Sequence, residues 1–390
     1  MLRGPVGRYE TTVFGGEQVR AFIPHPLPPN PPLELADGRQ RLLERATLAL
    51  GRLDSLTWLL PDPNLFLYAY VRREAVLSSQ IEGTQSSLVQ LLLFELEEAP
   101  GVPFDDVLEV SNYVAALEHG MNRLREDFPL SNRLIREMHA TLLARGRGSD
   151  QSPDEFRRTQ NWIGGTRPGK AHFVPPSPMY VEDCMAALER FIHDAETPYP
   201  VLVKAALAHV QFETIHPFLD GNGRIGRLLI AFILRHGGAL SKPLLYLSLY
   251  FKQHRAEYYR LLDLVRTEGD WEAWLDFFLE GVENTASNAV QTAQRLLALF
   301  REDADRVQSL SRVATSALRV FSVLRERPLV TLNQAHRRTG MSFPTVTKGM
   351  NALVELGIVR ELTGQRRNRV FAYNRYLSIL SEGAGPTQRR

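Results

Sequence analysis

The stretch that decides the fold covers residues 216–227 and reads His216-Pro217-Phe218-Leu219-Asp220-Gly221-Asn222-Gly223-Arg224-Ile225-Gly226-Arg227. It brings together an imidazole, a carboxylate, a glycine-rich loop and two guanidinium groups. A phosphate-transfer site needs such a set: a proton acceptor, a ligand for a hard metal ion, an anion-binding backbone and fixed cations. The sequence contains neither a zinc-protease H-E-x-x-H pattern nor a G-x-x-x-x-G-K-[ST] phosphate loop.

Two helices are predicted on either side of this loop. Apolar residues recur at roughly helical spacing across 201–215, and Pro217 ends that helix because proline disfavours the helical conformation in the residue before it. His216 is therefore expected where helix gives way to loop. The segment 224–235 carries a long unbroken apolar run, which predicts a helix buried in the centre of the protein.

The loop itself has the features of an anion site. Gly221 and Gly223 allow close approach of a ligand to the backbone, and their amides lead into a helix N-terminus. Arg224 and Arg227 are three residues apart, so both lie on one face of the first turn and can hold phosphate oxygens. The alternative is a simple turn, since Asp-Gly and Asn-Gly are common turn dipeptides. The histidine and the paired arginines favour the anion site, whereas His209 is interpreted as structural.

Composition indicates an ordinary globular protein. The chain has 390 residues, 44% hydrophobic and 23% charged, which is enough for two or three domains. A single cysteine, Cys184, cannot form an internal disulfide, which favours a reducing compartment. The first ten residues do not form a secretory signal, and the longest apolar run is too short for a bilayer. We therefore expect a mainly α, cytoplasmic protein with no membrane partner.

Charge is concentrated at the C-terminal end. Residues 313–390 hold 13 basic and 4 acidic side chains, a net charge of +9, so the rest of the chain carries −7 of the total of +2. Helices are predicted at 317–325, 332–338 and 342–356, with Thr331 and Ser342 as N-caps, followed by strands at 358–362 and 369–373. This order resembles a winged helix-turn-helix.

Such a module predicts DNA binding. The third helix would present Ser342, Thr345, Thr347 or Lys348 to the major groove, and Arg366 and Arg367 in the wing would meet phosphates. The alternative is a winged helix that docks a protein and keeps a solvated charged face.

A second feature lies near the N-terminus. A helix is predicted over 64–81, and it ends in Ser78-Ser79-Gln80-Ile81-Glu82-Gly83. Ser78 and Glu82 are four residues apart on one face, and Gly83 is a natural stop. Taken alone, this is only a helix end.

Together these motifs resemble the Fic (filamentation induced by cAMP) family. Residues 216–227 match its signature H-P-F-x-D-G-N-G-R-x-x-R at every defined position, and Ser78, Glu82 and Gly83 match its inhibitory pattern [S/T]-x-x-x-E-[G/N]. The segments 156–165 and 171–176 resemble the family's flap, a β-hairpin that aligns the target's extended segment by strand addition. The resemblance covers most of residues 20–285 and implies the subclass with an N-terminal inhibitory helix.

The resemblance implies a protein adenylyltransferase that moves AMP from ATP to a Ser, Thr or Tyr hydroxyl of a target protein or of itself. It makes His216 the general base, Asp220 the Mg²⁺ ligand and Asn222 a donor to the α-phosphate. Arg224 and Arg227 would hold the β- and γ-phosphates. The catalytic residues implied by the resemblance are His216, Asn222 and Arg224. The implied flap residues are His172, Phe173 and Val174. The residues implied to bind the nucleotide are Glu82, Phe218, Gly221, Asn222, Gly223, Arg224, Gly226, Arg227, Tyr246 and Tyr259. Phe218 also fits a core position.

Regulation follows from the same resemblance. Glu82 would pair with Arg227 and keep the γ-phosphate from its productive place. The expected domains are a helical N-terminal domain with the inhibitory helix (1–110), a Fic core (111–285), a linker helix (286–312), the winged helix (313–380) and a flexible tail (381–390).

Three alternatives remain open at this stage. The same site could use another nucleotide donor, or it could remove AMP from a modified protein with Glu82 orienting water. The third is a transcriptional regulator in which nucleotide binding switches the C-terminal module. The target protein, any DNA site and the oligomeric state, including a homodimer, are not determined by the sequence.

Overall fold

The structure is a computed structural model that describes residues 2–59, 63–96, 104–365 and 368–382. It is mainly helical, as predicted. In chain order its elements are β1 (Gly7–Phe14), β2 (Glu17–Pro24), α1 (Asp37–Leu59), α2 (Pro63–Ile81), α3 (Leu88–Phe94), α4 (Phe104–Arg125), α5 (Asn132–Leu142), α6 (Pro178–His193), α7 (Val201–Ile215), α8 (Asn222–His236), α9 (Ser248–Gln253), α10 (Arg255–Glu268), α11 (Trp271–Gln308), α12 (Ala314–Glu326), β3 (Leu329–Thr331), α13 (Leu332–Thr339), α14 (Phe343–Glu355), β4 (Arg360–Glu361), β5 (Val370–Ala372) and α15 (Asn374–Ser381).

The described residues form two compact units, each built from two segments of the chain. The first unit draws on residues 1–54 and 112–286, and the second on 55–111 and 287–390. The chain passes from one unit to the other inside helices α1, α4 and α11. The domain boundaries predicted from the sequence stay predictions, and the tail predicted at 381–390 lies almost wholly outside the described residues.

Helices α7 and α8 form the centre of the first unit, with the bounds that the sequence predicted to within two residues. Almost every residue of both helices is buried. They approach closely because Gly226 has no side chain: a Cβ there would lie 2.4 Å from Oε1 of Glu213. A larger residue at 226 would have to displace the Glu213 carboxylate and would crowd the Phe212 ring.

The N-terminal segment contains a β-hairpin that the sequence analysis did not predict. Strands β1 and β2 pair antiparallel in full register from Gly7 with Pro24 to Phe14 with Glu17. Gly15 and Gly16 form the turn with φ of +57° and +82°, and positive φ at both positions is what a tight two-residue hairpin turn requires. The signal was present in the sequence: a Gly-Gly pair between two runs rich in β-branched and aromatic residues.

The small flap hairpin predicted from the sequence consists of a single bridge. The described structure has one bridge between Ile163 and Phe173, and a short 3₁₀ turn at Pro168–Lys170 between them. Prolines at 175 and 176 lack the N–H groups that a longer ladder would need. The expected small hairpin is thus present at the predicted place as a single bridge.

The second unit joins α2 to the C-terminal helices. On α2, the Tyr68 ring lies 4.8 Å from the guanidinium carbon of Arg327, and Arg73 donates to the backbone oxygen of Glu382 at 2.8 Å. The Glu382 carboxylate also accepts two 2.6 Å bonds from Arg295. These contacts pack the helix that carries the predicted inhibitory pattern against the C-terminal module.

The C-terminal module has the predicted helices in the predicted order. Thr331 caps α13 in a reciprocal capping box with Gln334, and Gly340 and Gly357 follow α13 and α14 with positive φ. Strand β5 pairs with β4 as expected and also with β3, which was not predicted. Arg366 and Arg367 lie outside the described residues. The winged-helix interpretation stays a prediction.

Among the described helices, none combines the length and the hydropathy that crossing a bilayer requires.

A buried ion pair ties the N-terminus to α11 in the first unit. The Arg3 guanidinium donates to both carboxylate oxygens of Glu272 at 2.6 and 2.7 Å, and the two side chains are 2% and 4% exposed. Burial alone would raise the pKa of Glu272, but the hydrogen bonds from Arg3 and from the Glu34 N–H outweigh it and lower the pKa to about 2.

This pair predicts a pH-dependent loss of stability. Because the folded pKa of Glu272 is depressed, its contribution is present above its unfolded pKa, near 4.5, and is lost as pH falls towards 2. Glu272→Gln should lower the free energy of unfolding at pH 7 by up to about 3 kcal/mol, with the difference shrinking at pH 3. Urea unfolding at both pH values measures this. Glu283→Gln, in a partly exposed pair with Arg45, serves as the control. An equal loss at both pH values would contradict the assignment.

Candidate active site

His216 lies where the sequence predicted it, directly after the last residue of α7. Its backbone is left-handed, with φ +49° and ψ +60°, and its N–H donates to the Phe212 carbonyl at 2.9 Å. This conformation is uncommon for a residue with a side chain, and it persists only where surrounding contacts hold it. The imidazole is thus presented from a fixed and strained backbone at a helix end.

Two side chains hold the His216 backbone. Arg157 Nε donates to the His216 carbonyl at 3.0 Å and its Nη2 to that of Pro176 at 2.5 Å, while the Arg157 N–H donates to the Pro217 carbonyl at 2.9 Å. Asn161 Nδ2 donates to the carbonyls of His216 and Phe218 at 3.3 and 2.9 Å. Sequence analysis had placed 157 and 161 only in the flap, because nothing local shows which carbonyls they reach.

Asn222 closes the loop on itself. Its side-chain Oδ1 accepts from the Phe218 N–H at 2.9 Å and its Nδ2 donates to the Phe218 carbonyl at 2.8 Å. The amide is 3% exposed. The predicted donation to an α-phosphate stays a prediction, and it would use the second N–H of the same amide group.

His139 on α5 is a part of the site that the sequence analysis missed. Its ring stacks on Phe218 at 3.7 Å between centroids and 9° between planes. Its Nε2 lies 3.0 Å from the Asp220 carbonyl. Burial lowers the pKa of His139 to about 4, so at neutral pH the ring is uncharged and Nε2–H donates to that carbonyl. Phe218 is fully buried against this ring, a core position in the loop.

Asp220 is the single acidic residue of the motif at 216–227, and it is partly accessible. Its side chain is 32% exposed, and Oδ1 accepts from the Gly221 N–H at 2.6 Å and from Arg224 Nη2 at 3.3 Å. The backbone packs tightly around it, since a Cβ on Gly148 would lie 2.6 Å from Oδ2. Gly221 has φ +80° and begins α8 as its N-cap. Gly223 follows in the first turn and is half-buried.

The two arginines enter the site from the first turns of α8. Arg224 and Arg227 are 3% and 6% exposed, so both cations are withdrawn from water at a helix N-terminus, where the helix dipole also disfavours positive charge. An anion bound at the loop would relieve both costs. Because Gly226 has no side chain, α8 packs directly against α7 at this position.

His209 has the structural role that the sequence analysis gave it. Nδ1 bonds the Gly226 carbonyl at 3.0 Å, Nε2 lies 2.8 Å from the Tyr258 hydroxyl, and burial lowers the pKa to about 3. Tyr246 is buried before α9, and Tyr259 is exposed on α10 beside Arg255. Their part in nucleotide binding stays a prediction.

The flap residues are attached to α10. His172 Nε2 lies 2.5 Å from Asp263 Oδ2, and the Phe173 ring lies 4.1 Å from the guanidinium carbon of Arg266. Val174 is buried. The predicted docking role of these three residues is not tested by these contacts.

The predicted inhibitory residues lie in the second unit. Ser78 is fully buried near the end of α2, whereas Glu82 and Gly83 follow its last residue and are exposed. Gly83 has φ +105°, a backbone conformation that residues other than glycine rarely adopt. The pairing of Glu82 with Arg227 stays a prediction.

Comparison with known proteins matches two segments of the chain to family models. Residues 40–122 match the Fic/DOC family N-terminal domain and residues 129–234 match the Fic/DOC family domain. The chain is 30% identical over 251 residues to the protein adenylyltransferase Fic of Drosophila grimshawi, covering 61% of this chain and 48% of the relative. It is 31% identical over 209 residues to that of Drosophila melanogaster, covering 53% of this chain and 39% of the relative. The chain thus spans half or less of the length of these curated relatives.

Among solved structures, a Fic family protein from Desulfovibrio desulfuricans G20 has the same fold, with a TM-score of 0.57 at 21% identity. The match covers 88% of this chain and 97% of that protein. The sequence motif, the geometry of the loop and these matches agree, and the chain carries a Fic domain preceded by the Fic/DOC family N-terminal domain.

Proposed function

We propose that this protein is an adenylyltransferase that moves AMP from ATP to a Ser, Thr or Tyr hydroxyl of a protein. One observation carries the proposal: His216 is fixed at the end of α7 beside a glycine loop and two buried arginines. This arrangement supports a proton acceptor next to an anion site. The relatives named protein adenylyltransferase Fic support the same reaction.

In the proposed reaction the acceptor oxygen attacks the α-phosphorus of ATP. Its proton passes to the His216 imidazole, a group whose ordinary pKa suits proton transfer near neutral pH. A bond forms between the acceptor oxygen and the α-phosphorus, the bond from that phosphorus to the β-bridging oxygen breaks, and pyrophosphate leaves. The fixed backbone of His216 serves this step, since a misplaced base loses most of its effect.

The buried arginines would hold the departing phosphates. Arg224 and Arg227 lie on one face of α8, and a guanidinium can bind two phosphate oxygens at once. Because both are almost fully desolvated, their attraction for an anion is stronger than it would be in water. Placing fixed charge where negative charge develops is the main way that proteins accelerate such transfers.

Magnesium fits the site as a companion of the nucleotide. The described residues contain no cluster of three or more metal-ligating side chains, but Mg²⁺ is commonly held by one carboxylate together with substrate phosphates and water. Asp220 is the partly exposed carboxylate in the loop, and it would be that ligand. The ion would neutralise phosphate charge when bound.

We further propose that Glu82 restrains the reaction. A carboxylate on Arg227 would compete with the γ-phosphate for the same guanidinium, which would leave the α-phosphorus turned away from the acceptor. The exposed position of Glu82 just beyond α2 supports this role.

We also propose that the C-terminal module binds DNA. The start of α14 is exposed at Ser342, Phe343 and Pro344, and Lys348 is exposed one turn later. A recognition helix needs its N-terminal residues accessible to base edges and phosphates. The basic surface of the segment favours DNA over a neutral protein partner.

The first test concerns the base. His216→Ala should reduce AMP transfer by about a hundred- to ten-thousandfold while ATP binding survives, because the imidazole acts on the acceptor hydroxyl. Label from the α-position of ATP measures transfer, and equilibrium dialysis measures binding. His119→Ala, a half-exposed histidine on α4, is the control. Transfer near the parent rate in His216→Ala protein would rule out this base.

The second test concerns regulation. Glu82→Gly should raise self-modification by about five- to a hundredfold, the range of typical coupling energies, because the guanidinium of Arg227 is freed for the γ-phosphate. The matched control is Glu355→Gly, which removes an exposed glutamate at the end of another helix, α14. Self-modification at or below the parent level, in folded protein that binds ATP, would refute the restraint.

The third test concerns DNA. Lys348→Ala should weaken binding to duplex DNA and reduce the slope of log K against log salt by about 1, as expected for the loss of one phosphate contact. Fluorescence anisotropy across a salt series measures both. Lys242→Ala in the first unit is the control. Binding that does not change with salt would favour a protein partner for this module.

A further inference from the structure

The N-terminal hairpin and the flap share a small hydrophobic core. Val19 and Ala21 of β2 are buried together with Val174 of the flap, and Trp162 and Ala171 pack against this cluster. Strand β1 behaves differently, since its Tyr9 and Val13 are 43% and 73% exposed. The hairpin therefore uses its second strand to cover the flap, while Tyr9 and Val13 of the first strand are exposed.

Backbone hydrogen bonding continues from the hairpin into the flap. The Phe22 N–H of β2 donates to the Val174 carbonyl at 2.9 Å. In the flap, the Ile163 N–H donates to the Phe173 carbonyl at 2.8 Å and the Phe173 N–H to the Ile163 carbonyl at 3.1 Å. Strand β2 thus lies next to the 173–174 segment, which in turn pairs with Ile163. The flap, whose one described bridge joins Ile163 and Phe173, is therefore also hydrogen-bonded to strand β2.

An ion pair fixes the tip of the flap. Arg167 Nη1 lies 2.6 Å from Oε1 of Glu17, the first residue of β2, with side chains 53% and 33% exposed. The contact is close enough that a Cβ on Gly169 would lie 2.6 Å from Oε2 of Glu17. The turn of the hairpin is thereby attached to the 3₁₀ turn of the flap.

The flap is connected to His216 within a few residues. Asn161, which donates to the His216 carbonyl, precedes Trp162 in the shared core and Ile163 in the bridge. Because Asn161 joins the flap segment to the His216 backbone, a protein chain that brings a hydroxyl to His216 would lie near the flap. The position of the flap affects how such a chain is held, whereas the arginines of α8 hold the nucleotide.

We propose that the N-terminal hairpin is a positioning element for the acceptor protein: through Glu17–Arg167 and the Val19–Ala21–Val174 cluster it holds the flap in the position that docks the acceptor. This inference rests on the proposed function. The hairpin acts through the flap and makes no contact with ATP in the proposed reaction. Loosening it weakens use of the acceptor and leaves nucleotide affinity unchanged.

Charge reversal tests the contact directly. Glu17→Arg and Arg167→Glu each place like charges together, and the double variant restores the pair in the opposite sense. Glu283→Arg is the matched control, since Glu283 and its partner Arg45 are 31% and 57% exposed, close to the values of the hairpin pair.

The first measurement is hydrogen exchange at the Ile163 and Phe173 amides without nucleotide. A partly exposed ion pair contributes about 0.2–1 kcal/mol, so each single variant should exchange about two- to fivefold faster. The double variant should return to the parent rate, and the control should not change. Equal exchange in the parent and both single variants would overturn the inference.

The second measurement separates docking from chemistry, with casein as the protein acceptor and all variants in the Glu82→Gly background. The KM for casein should rise about two- to fivefold in each single variant and recover in the double, while the KM for ATP stays within the error of the parent. Equal shifts in both constants, or faster flap exchange with an unchanged KM for casein, would overturn the inference. Absence of transfer to casein or to itself by the parent would count against the proposed function instead, and the exchange comparison would still decide whether the hairpin holds the flap.

Discussion

The hydrogen bonds from Arg157 to backbone carbonyls at the end of α7 hold the site together. The side chain is 2% exposed, and burial lowers its pKa to about 10, which leaves it charged at neutral pH. Its partners among the described atoms are carbonyl oxygens of residues 159, 176, 215 and 216. A cation at a helix C-terminus satisfies carbonyls that have no partner within the helix and interacts favourably with the dipole. The left-handed His216 depends on this contact.

The rest of the loop is shaped by neutral groups. Asn222 closes the turn through both backbone groups of Phe218, and His139 stacks on that ring while donating to the Asp220 carbonyl. These contacts fix the backbone of the loop before any ligand binds. Of the charged residues of the motif, Asp220 and Arg224 lie next to each other, with Arg224 Nη2 3.3 Å from Asp220 Oδ1. A loop whose backbone is held by neutral side chains would need little rearrangement to bind a ligand.

The sequence predicted α7, α8, α2 and the helices of the C-terminal module closely, because each is marked by apolar periodicity and by a proline, glycine or capping residue at its ends. It also located the candidate loop at 216–227, since its residue types are adjacent in the chain. His139 and Arg157 were missed as parts of the site because they reach it from 77 and 59 positions before His216, and neither carries a local signal. The β1–β2 hairpin had such a signal at Gly15 and Gly16, but the helical character of the rest of the chain outweighed it.

The sequence by itself determined the fold class, the bounds of α2, α7, α8 and the C-terminal helices, and the position of the motif loop, because these depend on residues close together in the chain. Only the tertiary structure decided which distant segments meet. Helix α2 packs with the C-terminal helices through Arg73 and Glu382, and β2 packs on the flap through Val19 and Val174. These pairings bring together residues more than 150 positions apart. They depend on side-chain shape and on long-range burial, which leave no periodic signature in a single sequence.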